Sequence, residues 1–366
     1  MKVLTVVGAR PQFIKAATVS RLLQGHSSIQ EILVHTGQHY DPNMSAVFFE
    51  ELGIPAPQHH LEVGSGSHGT QTGKMLERLE PIFQEEQPDW VMVYGDTNST
   101  LAGGLAASKL HIPVAHVEAG LRSFNRQMPE EVNRVLTDHL SSLLFAPTAT
   151  AMSNLEREGI GGDMVRQVGD VMYDAALYFG QRAQSESHIV EVLELKPKQF
   201  VLVTIHRAEN TDQPARLQAI AEGLLKLSQT YHLVWPVHPR TRRVMEGLGL
   251  LEALQGHLLL TEPVSYLDMV QLEQQALLIL TDSGGVQKEA YFHQVPCLTL
   301  RAETEWVELV ELGWNRLVDP ARPFDLRIEV QRALEQDRAN PAQPYGSGNA
   351  AAQIMQALLH ASPTGR

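Results

Sequence analysis

Thr281-Asp282-Ser283-Gly284-Gly285-Val286-Gln287-Lys288-Glu289 decides how this chain is read. The nine residues follow an apolar run, Ala276–Leu280, with the length of a buried strand. They lead into a helical pattern, Val286–Phe292. A strand that turns through Ser-Gly-Gly into a helix leaves free backbone N–H groups at the helix start. The glycines lack the Cβ atoms that would keep an anion away. Such a turn can hold a diphosphate. Glu289, one turn on, is placed to accept hydrogen bonds from ribose hydroxyls. The segment points to a nucleotide, with a nucleotide sugar as one form of it. The plain alternative is an ordinary strand-to-helix turn with Ser283 as N-cap.

Outward from this segment the same rhythm fills the chain. In the first half, Val3–Val7, Ile32–Thr36, Trp90–Tyr94, Val114–Val117 and Leu143–Phe145 read as strands. Phe13–Leu23, Thr72–Glu86 and Thr100–Leu110 read as amphipathic helices between them. After a polar section, Gln181–Lys198, the rhythm restarts with Phe200–Ile205, Leu233–Val237, Leu258–Leu260, Leu277–Leu280 and Leu298–Leu300. Alternating short apolar runs and helices indicate doubly wound, mostly parallel sheets. Two Rossmann-like α/β domains with a cleft between them are expected. The domains are placed at residues 1–175 and 176–348. A last helix within 349–366 is expected to cross back to the first domain. Gly64–Gly73, the one low-complexity stretch, is expected to be a loop and a candidate lid.

The bulk numbers exclude several classes. The chain has 366 residues, 43% hydrophobic, which supports a sizeable core. A net charge of −13 without a long basic run argues against nucleic acid as a partner. The single cysteine, Cys297, excludes an intramolecular disulfide framework and a cysteine-based zinc site. Its apolar flanks make it a buried strand residue. No apolar run is long enough to span a membrane. Met1-Lys2 leads straight into Val3–Val7, so no signal peptide is expected and the cytosol is the expected compartment.

The polar motifs sit beyond strand ends, where open α/β sheets bind ligands. Gly8-Ala9-Arg10-Pro11 follows the first strand, with Pro11 suited to a first helical turn and Arg10 and Lys15 near the helix start. The turn lacks the Gly-x-Gly-x-x-Gly fingerprint, which disfavours a dinucleotide. Asp96, in Tyr94-Gly95-Asp96-Thr97-Asn98, stands at a strand tip. Glu118, in His116-Val117-Glu118-Ala119-Gly120-Leu121-Arg122, stands at the next. Glu130 and Glu131 open a helix soon after. Each acid has a bland role, as a cap or as a partner of the helix dipole. Clustered in one cleft, carboxylates raise each other's pKa and suit acid–base work. In the second half, His206 and His238 end adjacent strands. No residues nearby complete a metal ligand set, so phosphate hydrogen bonding is the expected role.

Taken together, these motifs resemble the non-hydrolysing UDP-N-acetylglucosamine 2-epimerases. The likeness is carried by Gly8-Ala9-Arg10-Pro11…Lys15, Gly37-Gln38-His39, Gly95-Asp96-Thr97, His116–Arg122 and Pro129-Glu130-Glu131…Asn133-Arg134. His206-Arg207, Pro236-Val237-His238 and Thr281–Gly285…Glu289 complete it. It runs from Val3 to about Gly348. The resemblance implies the two-domain GT-B fold, a homodimer, a UDP-sugar substrate, and no metal or redox cofactor. It implies that Arg10, His206, Ser283, Gly284, Gly285 and Glu289 hold UDP, with Lys15 and His238 as further substrate-binding candidates. Asp96, Glu118 and Glu130 match the family's active-site acids, and His206 is counted among its catalytic residues. The implied reaction interconverts UDP-N-acetylglucosamine and UDP-N-acetylmannosamine, a precursor for surface polysaccharide. UDP is eliminated to a 2-acetamidoglucal and then re-added, with domain closure keeping water out.

The sequence also departs from the family pattern. Gln12 stands where many members have Glu, and Lys74 where an arginine is expected. Regulated bacterial members bind a second UDP-N-acetylglucosamine as activator around the Gln38-His39 motif, which here continues as Tyr40-Asp41. Gly8–Lys15, His35–Asp41 and Lys288-Glu289-Ala290-Tyr291 look like a branch that includes epimerases of UDP-2,3-diacetamido-2,3-dideoxy-glucuronate. That sugar is the alternative substrate. A GT-B glycosyltransferase and a catalytically silent nucleotide-sugar sensor are the rival readings. The first would need an acceptor groove and not three strand-tip acids. The retained acids and His206 argue against the second.

Overall fold

The computed structural model describes residues 1–38, 49, 51–338 and 343–361. His39, Tyr40 and Asp41 of the implied activator motif lie outside the described residues. The chain divides into two compact units. One is Met1–Ala175 with the described part of Gln343–Arg366, and the other is Ala176–Ala342.

The first unit holds a seven-stranded sheet, with β1 (Lys2–Val7), β2 (Gln30–His35), β3 (His59–His60), β4 (Trp90–Tyr94), β5 (Val114–Val117), β6 (Leu143–Ala146) and β7 (Val165–Gln167). The order is β3-β2-β1-β4-β5-β6-β7, and every pairing is parallel. The central strands are apolar on both faces because helices cover both. Leu4, Val6, Ile32, Val34, Val91 and Val93 pack against Met75, Leu79 and Phe83 of the helix His68–Glu86. The helix Ala350–His360 packs on the helix Arg10–Gln24, and its first amides, at Ala350 and Ala351, donate to Asp174 at 3.1 and 3.0 Å.

The second unit holds six parallel strands, β8 (Phe200–Thr204), β9 (His232–Pro236), β10 (Leu259–Thr261), β11 (Leu278–Thr281), β12 (Cys297–Thr299) and β13 (Asn315–Leu317). Their order is β10-β9-β8-β11-β12-β13. Alternate residues feed two cores. Val201, Val203, Leu278 and Leu280 meet Ile220 and Leu224 on one face, while Leu202, Ile279 and Cys297 meet Leu272 on the other. In both sheets strand order reverses beside the first strand, between β1 and β4 and between β8 and β11. Ligands of open α/β sheets bind beyond strand ends at such a switch point.

One expectation is corrected. Gly64–Gly73 is not a loop throughout, because the helix His68–Glu86 begins inside it. Met75, Leu79 and Phe83 recur at helical spacing and are buried, so their stripe pulls the helix start back. Gly69 and Gly73 lie on its exposed side, where each costs only about 1 kcal/mol relative to Ala. Gln71 ties what remains of the loop by donating to the Gly64 carbonyl at 2.8 Å.

Candidate active site

In the first unit the switch point brings the Gly8 turn beside the Gly95 turn. A Cβ on Gly8 would lie 2.0 Å from Thr36 Oγ1, so only glycine fits there. Gln12 locks the two turns together. Its Oε1 accepts from the N–H of Gly8 at 2.9 Å and of Ala9 at 3.1 Å. Its Nε2 donates to the Tyr94 carbonyl at 2.8 Å and to Thr100 Oγ1 at 3.0 Å. A carboxamide satisfies both kinds of partner, which gives the departure from Glu a structural basis.

Asp96 and Glu118 sit one residue beyond the Gly95 turn and just past β5. Glu118 has φ = 73°, the left-handed region that a non-glycine residue rarely adopts and that clusters at functional sites. Its carboxylate accepts from Lys15 Nζ. Asp96 accepts from Arg134 Nη2 at 2.6 Å. The helix Pro129–Leu140 delivers Glu130, Asn133 and Arg134 at i, i+3 and i+4, hence on one face. Asn133 donates to the Asp96 carbonyl at 2.9 Å, so this face meets the Asp96 turn. Glu130 is half-buried there, and among the described residues its carboxylate has no hydrogen-bond or ion-pair partner. Glu131 has a different duty. It accepts from the N–H of Ser123 and of Phe124, both at 2.9 Å, and from Arg134 at 3.0 Å. Those bonds hold its pKa below the usual carboxylate range although burial pushes it up. The expected crowding of acids against one another is replaced by a cation for each of Asp96 and Glu118.

Behind these residues lies a buried knot that sequence reading missed. His116, fully buried in β5, reaches the Gly95 carbonyl through Nε2 and Asp138 through Nδ1, both at 2.7 Å. A carbonyl only accepts, so Nε2 carries a proton. Asp138 also receives the Gly120 N–H at 3.1 Å and Arg122 at 2.7 Å. The knot fixes the turns on both sides of Asp96 and Glu118. His116, Arg122 and Asp138 are polar residues in apolar surroundings, the one signal that could have exposed it.

In the second unit, Asp282 organises the switch point. Fully buried at the end of β11, it accepts from the N–H of His206 and of Arg207, each at 3.1 Å, and from Asn210 Nδ2 at 3.1 Å. It thereby ties the turn after β8 to the Ser-Gly-Gly turn. Burial lowers the pKa of His206, Arg207 lowers it further and Asp282 opposes them, so the imidazole is neutral near pH 7. His238 caps the helix Pro239–Gly247, its Nδ1 accepting from the Arg240 N–H at 3.2 Å. The His206 and His238 rings lie 6.3 Å apart. Among the described residues no three His, Cys, Asp or Glu side chains converge as a metal site would require.

Ser283 takes the N-cap position of the helix Gly284–Phe292, but its side chain makes no capping bond. The plain alternative used that hydroxyl as a cap; here the turn is braced from outside instead. Trp306 Nε1 donates to the Gly284 carbonyl at 3.0 Å and Gln287 Nε2 to the Ser283 carbonyl at 3.2 Å. Gln287 in turn accepts from Thr304 at 2.6 Å and Asn315 at 2.9 Å. The Ser283 hydroxyl is thus not needed to brace the turn. Glu289 bends back toward the helix start, its Oε2 3.9 Å from where a Gly285 Cβ would stand. A separate cavity of about 720 Å³, lined by Trp90, Pro113, Ser142 and His360, lies at strand starts and contains none of these residues.

The family description UDP-N-acetylglucosamine 2-epimerase matches residues 21–359. The chain belongs to the UDP-N-acetylglucosamine 2-epimerase family. A UDP-2,3-diacetamido-2,3-dideoxy-D-glucuronate 2-epimerase of Pseudomonas aeruginosa is 51% identical, the match covering 98% of this chain and 99% of that protein. The UDP-N-acetylglucosamine 2-epimerase of Escherichia coli K12 is 35% identical, covering 98% of each chain. The crystal structure of the Methanocaldococcus jannaschii UDP-GlcNAc 2-epimerase in complex with UDP-GlcNAc and UDP superposes with a TM-score of 0.89 at 44% identity, covering 99% of this chain and 100% of that one. The fold is therefore GT-B, with two Rossmann-like units. Membership in this family sets aside the glycosyltransferase and sensor readings. No described helix is long and apolar enough to cross a membrane.

Proposed function

We propose that this chain is a non-hydrolysing 2-epimerase that interconverts UDP-N-acetylglucosamine and UDP-N-acetylmannosamine. The observation that carries the reading is the pair of switch points. One presents acids with matched cations, and the other an anion cradle with an uncommitted serine hydroxyl. The C2 hydrogen of a 2-acetamido sugar has no adjacent carbonyl and resists direct abstraction. As the anomeric C–O bond loosens, C1 gains oxocarbenium character and the C2 hydrogen becomes acidic. A carboxylate takes that proton, the C1–O electron pair leaves with UDP, and a 2-acetamidoglucal remains. UDP then re-adds to C1 while a proton reaches the opposite face of C2.

Asp96, Glu118 and Glu130 supply the acid–base groups. Arg134 pairs with Asp96 and Lys15 with Glu118, and Glu130 has no such partner among the described residues. Ser283 and the N–H groups of Gly284 and Gly285 hold the diphosphate, with neutral His206 as a hydrogen-bond partner and Arg10 and His238 as further contacts. Glu289 takes the ribose hydroxyls. No step consumes water or changes oxidation state. A homodimer in the cytosol is the expected working form.

A second reading keeps the reaction and changes the sugar to UDP-2,3-diacetamido-2,3-dideoxy-glucuronate. The 51% identity to the Pseudomonas aeruginosa enzyme supports it. Incubating the protein with each UDP-sugar in D₂O tests both readings. Deuterium at C2 together with the manno product identifies the substrate, and turnover of neither sugar sinks the proposal.

A further inference from the structure

The region around Gly284 holds charges that the reaction scheme leaves unused. Arg207 follows His206 at the tip of β8, and its side chain is one-third exposed. Its Nη2 lies 3.3 Å from where a Gly284 Cβ would stand, beside the first turn of the cradle helix. Glu305 stands at the same place, with Oε1 2.5 Å from that position. Glu305 is firmly held from the other side, because Arg301 Nη1 donates to Oε2 at 2.9 Å. Arg301 is buried, and among the described residues its Nε has no acceptor. Arg207 and Glu305 are 3.9 Å apart, beyond a hydrogen bond.

This is a place that favours an anion. The N-terminus of a nine-residue helix attracts negative charge. A diphosphate would meet the Glu305 carboxylate as a competitor for the same N–H groups and the same arginine. A guanidinium matches a phosphate through two parallel hydrogen bonds, which a loose ion pair at 3.9 Å does not give it. The geometry therefore favours transfer of Arg207 from the carboxylate to an arriving phosphate. Arg301 stays on Glu305 and keeps that charge neutralised.

Resting on the UDP-sugar reading above, we infer that Arg207 is a diphosphate-binding residue and that Glu305 is its resting counter-ion. Glu305 holds Arg207 beside the cradle and yields it when the diphosphate binds. The pair lowers the affinity of the site for UDP, which assists product release from an enzyme that must hold UDP firmly only while the glucal is present.

UDP binding to the full-length protein, measured by calorimetry, tests this through two single variants and their double. Arg207→Gln should weaken UDP binding roughly tenfold or more, the loss of one charge-assisted contact. Uridine binding, followed by ligand-observed NMR, should be unchanged. Glu305→Gln should tighten UDP binding about threefold to tenfold, since the amide keeps the Arg301 bond and loses the competing charge. In the double variant that gain should disappear. Unchanged UDP affinity in Arg207→Gln would overturn the inference, and so would equal losses for UDP and uridine. Weaker binding in Glu305→Gln would overturn the counter-ion role. Wild-type protein that does not bind UDP at all would instead sink the UDP-sugar reading itself.

Discussion

Glu273 and His293 form a buried pair whose protonation is legible from its geometry and can be tested by pH. Glu273 lies on the helix Tyr266–Gln275 and His293 follows the helix Gly284–Phe292. Their side chains are 1% and 5% exposed, and Glu273 Oε2 lies 3.8 Å from His293 Nε2. Among the described residues, neither carboxylate oxygen nor Nε2 has a hydrogen-bond partner. An ionised pair would need closer, satisfied geometry to offset its desolvation. Burial therefore keeps both neutral, pushing Glu273 well above the usual carboxylate range, with Glu289 adding to the rise. It pushes His293 from 6.5 down to about 4. Between those two values His293 binds one proton fewer in the folded protein than in the unfolded chain, so its own contribution to stability rises with pH across that window. Acidification from pH 6.5 to 5 should then cost about 2 kcal/mol through His293 alone. For a domain of this size that is roughly 4–8 °C in melting midpoint. Glu273 acts in the opposite sense. Its folded pKa lies above its unfolded one, so stability is lost as pH rises past 4.5 toward the folded value. His293→Leu should remove its share of the acid slope, and Glu273→Met should raise the midpoint at pH 7 to 8. Melting curves followed from pH 5 to 8 check both. If His293→Leu keeps the wild-type acid slope, or if either variant collapses at pH 7 as a broken ion pair would, the neutral-pair reasoning fails.

If Asp96 acts on the sugar as proposed, Asp96→Asn should abolish C2 deuterium exchange while UDP binding stays measurable by calorimetry; unimpaired exchange removes it from the proposed mechanism. Asp282→Asn should cost about 1–3 kcal/mol in thermal stability and weaken UDP binding, since an amide oriented to accept from the His206 N–H turns its donors toward the other N–H groups at that end. An unchanged melting curve and affinity would mean that Asp282 does not organise the turn. Gln12→Glu should lower stability by about 1–3 kcal/mol at pH 8 and by less at pH 5, because only a protonated carboxyl can donate to the Tyr94 carbonyl. A pH-independent effect in melting curves would refute that.

The sequence reading found the apolar strands and missed those without an apolar run. Trp90–Tyr94 and Val114–Val117 were located to the residue, while His59–His60, Val165–Gln167 and Asn315–Leu317 were not foreseen. These three are edge strands two or three residues long, set by pairing to a neighbour rather than by their own hydrophobicity. The candidate site divides in the same way. Asp96, Glu118, His206 and Ser283 were legible because strand tips at a switch point are the default ligand position. Arg134, Asp138 and Asp282 were opaque, since their effect depends on partners 38, 22 and 76 residues away. Periodicity carries no information about such pairings.

The cations beside Asp96 and Glu118 bear on how the proposed reversible elimination would be controlled. An acid that must take a proton from carbon and return one cannot be held permanently in either state. Arg134 pairs with Asp96, and Lys15 pairs with Glu118. Glu130 is half-buried on the same helix face as Arg134 and has no ionic partner among the described residues. The three candidate acids of the proposed reaction thus differ in their surroundings: Asp96 and Glu118 are each tied to a cation, and Glu130 is tied to none among the described residues.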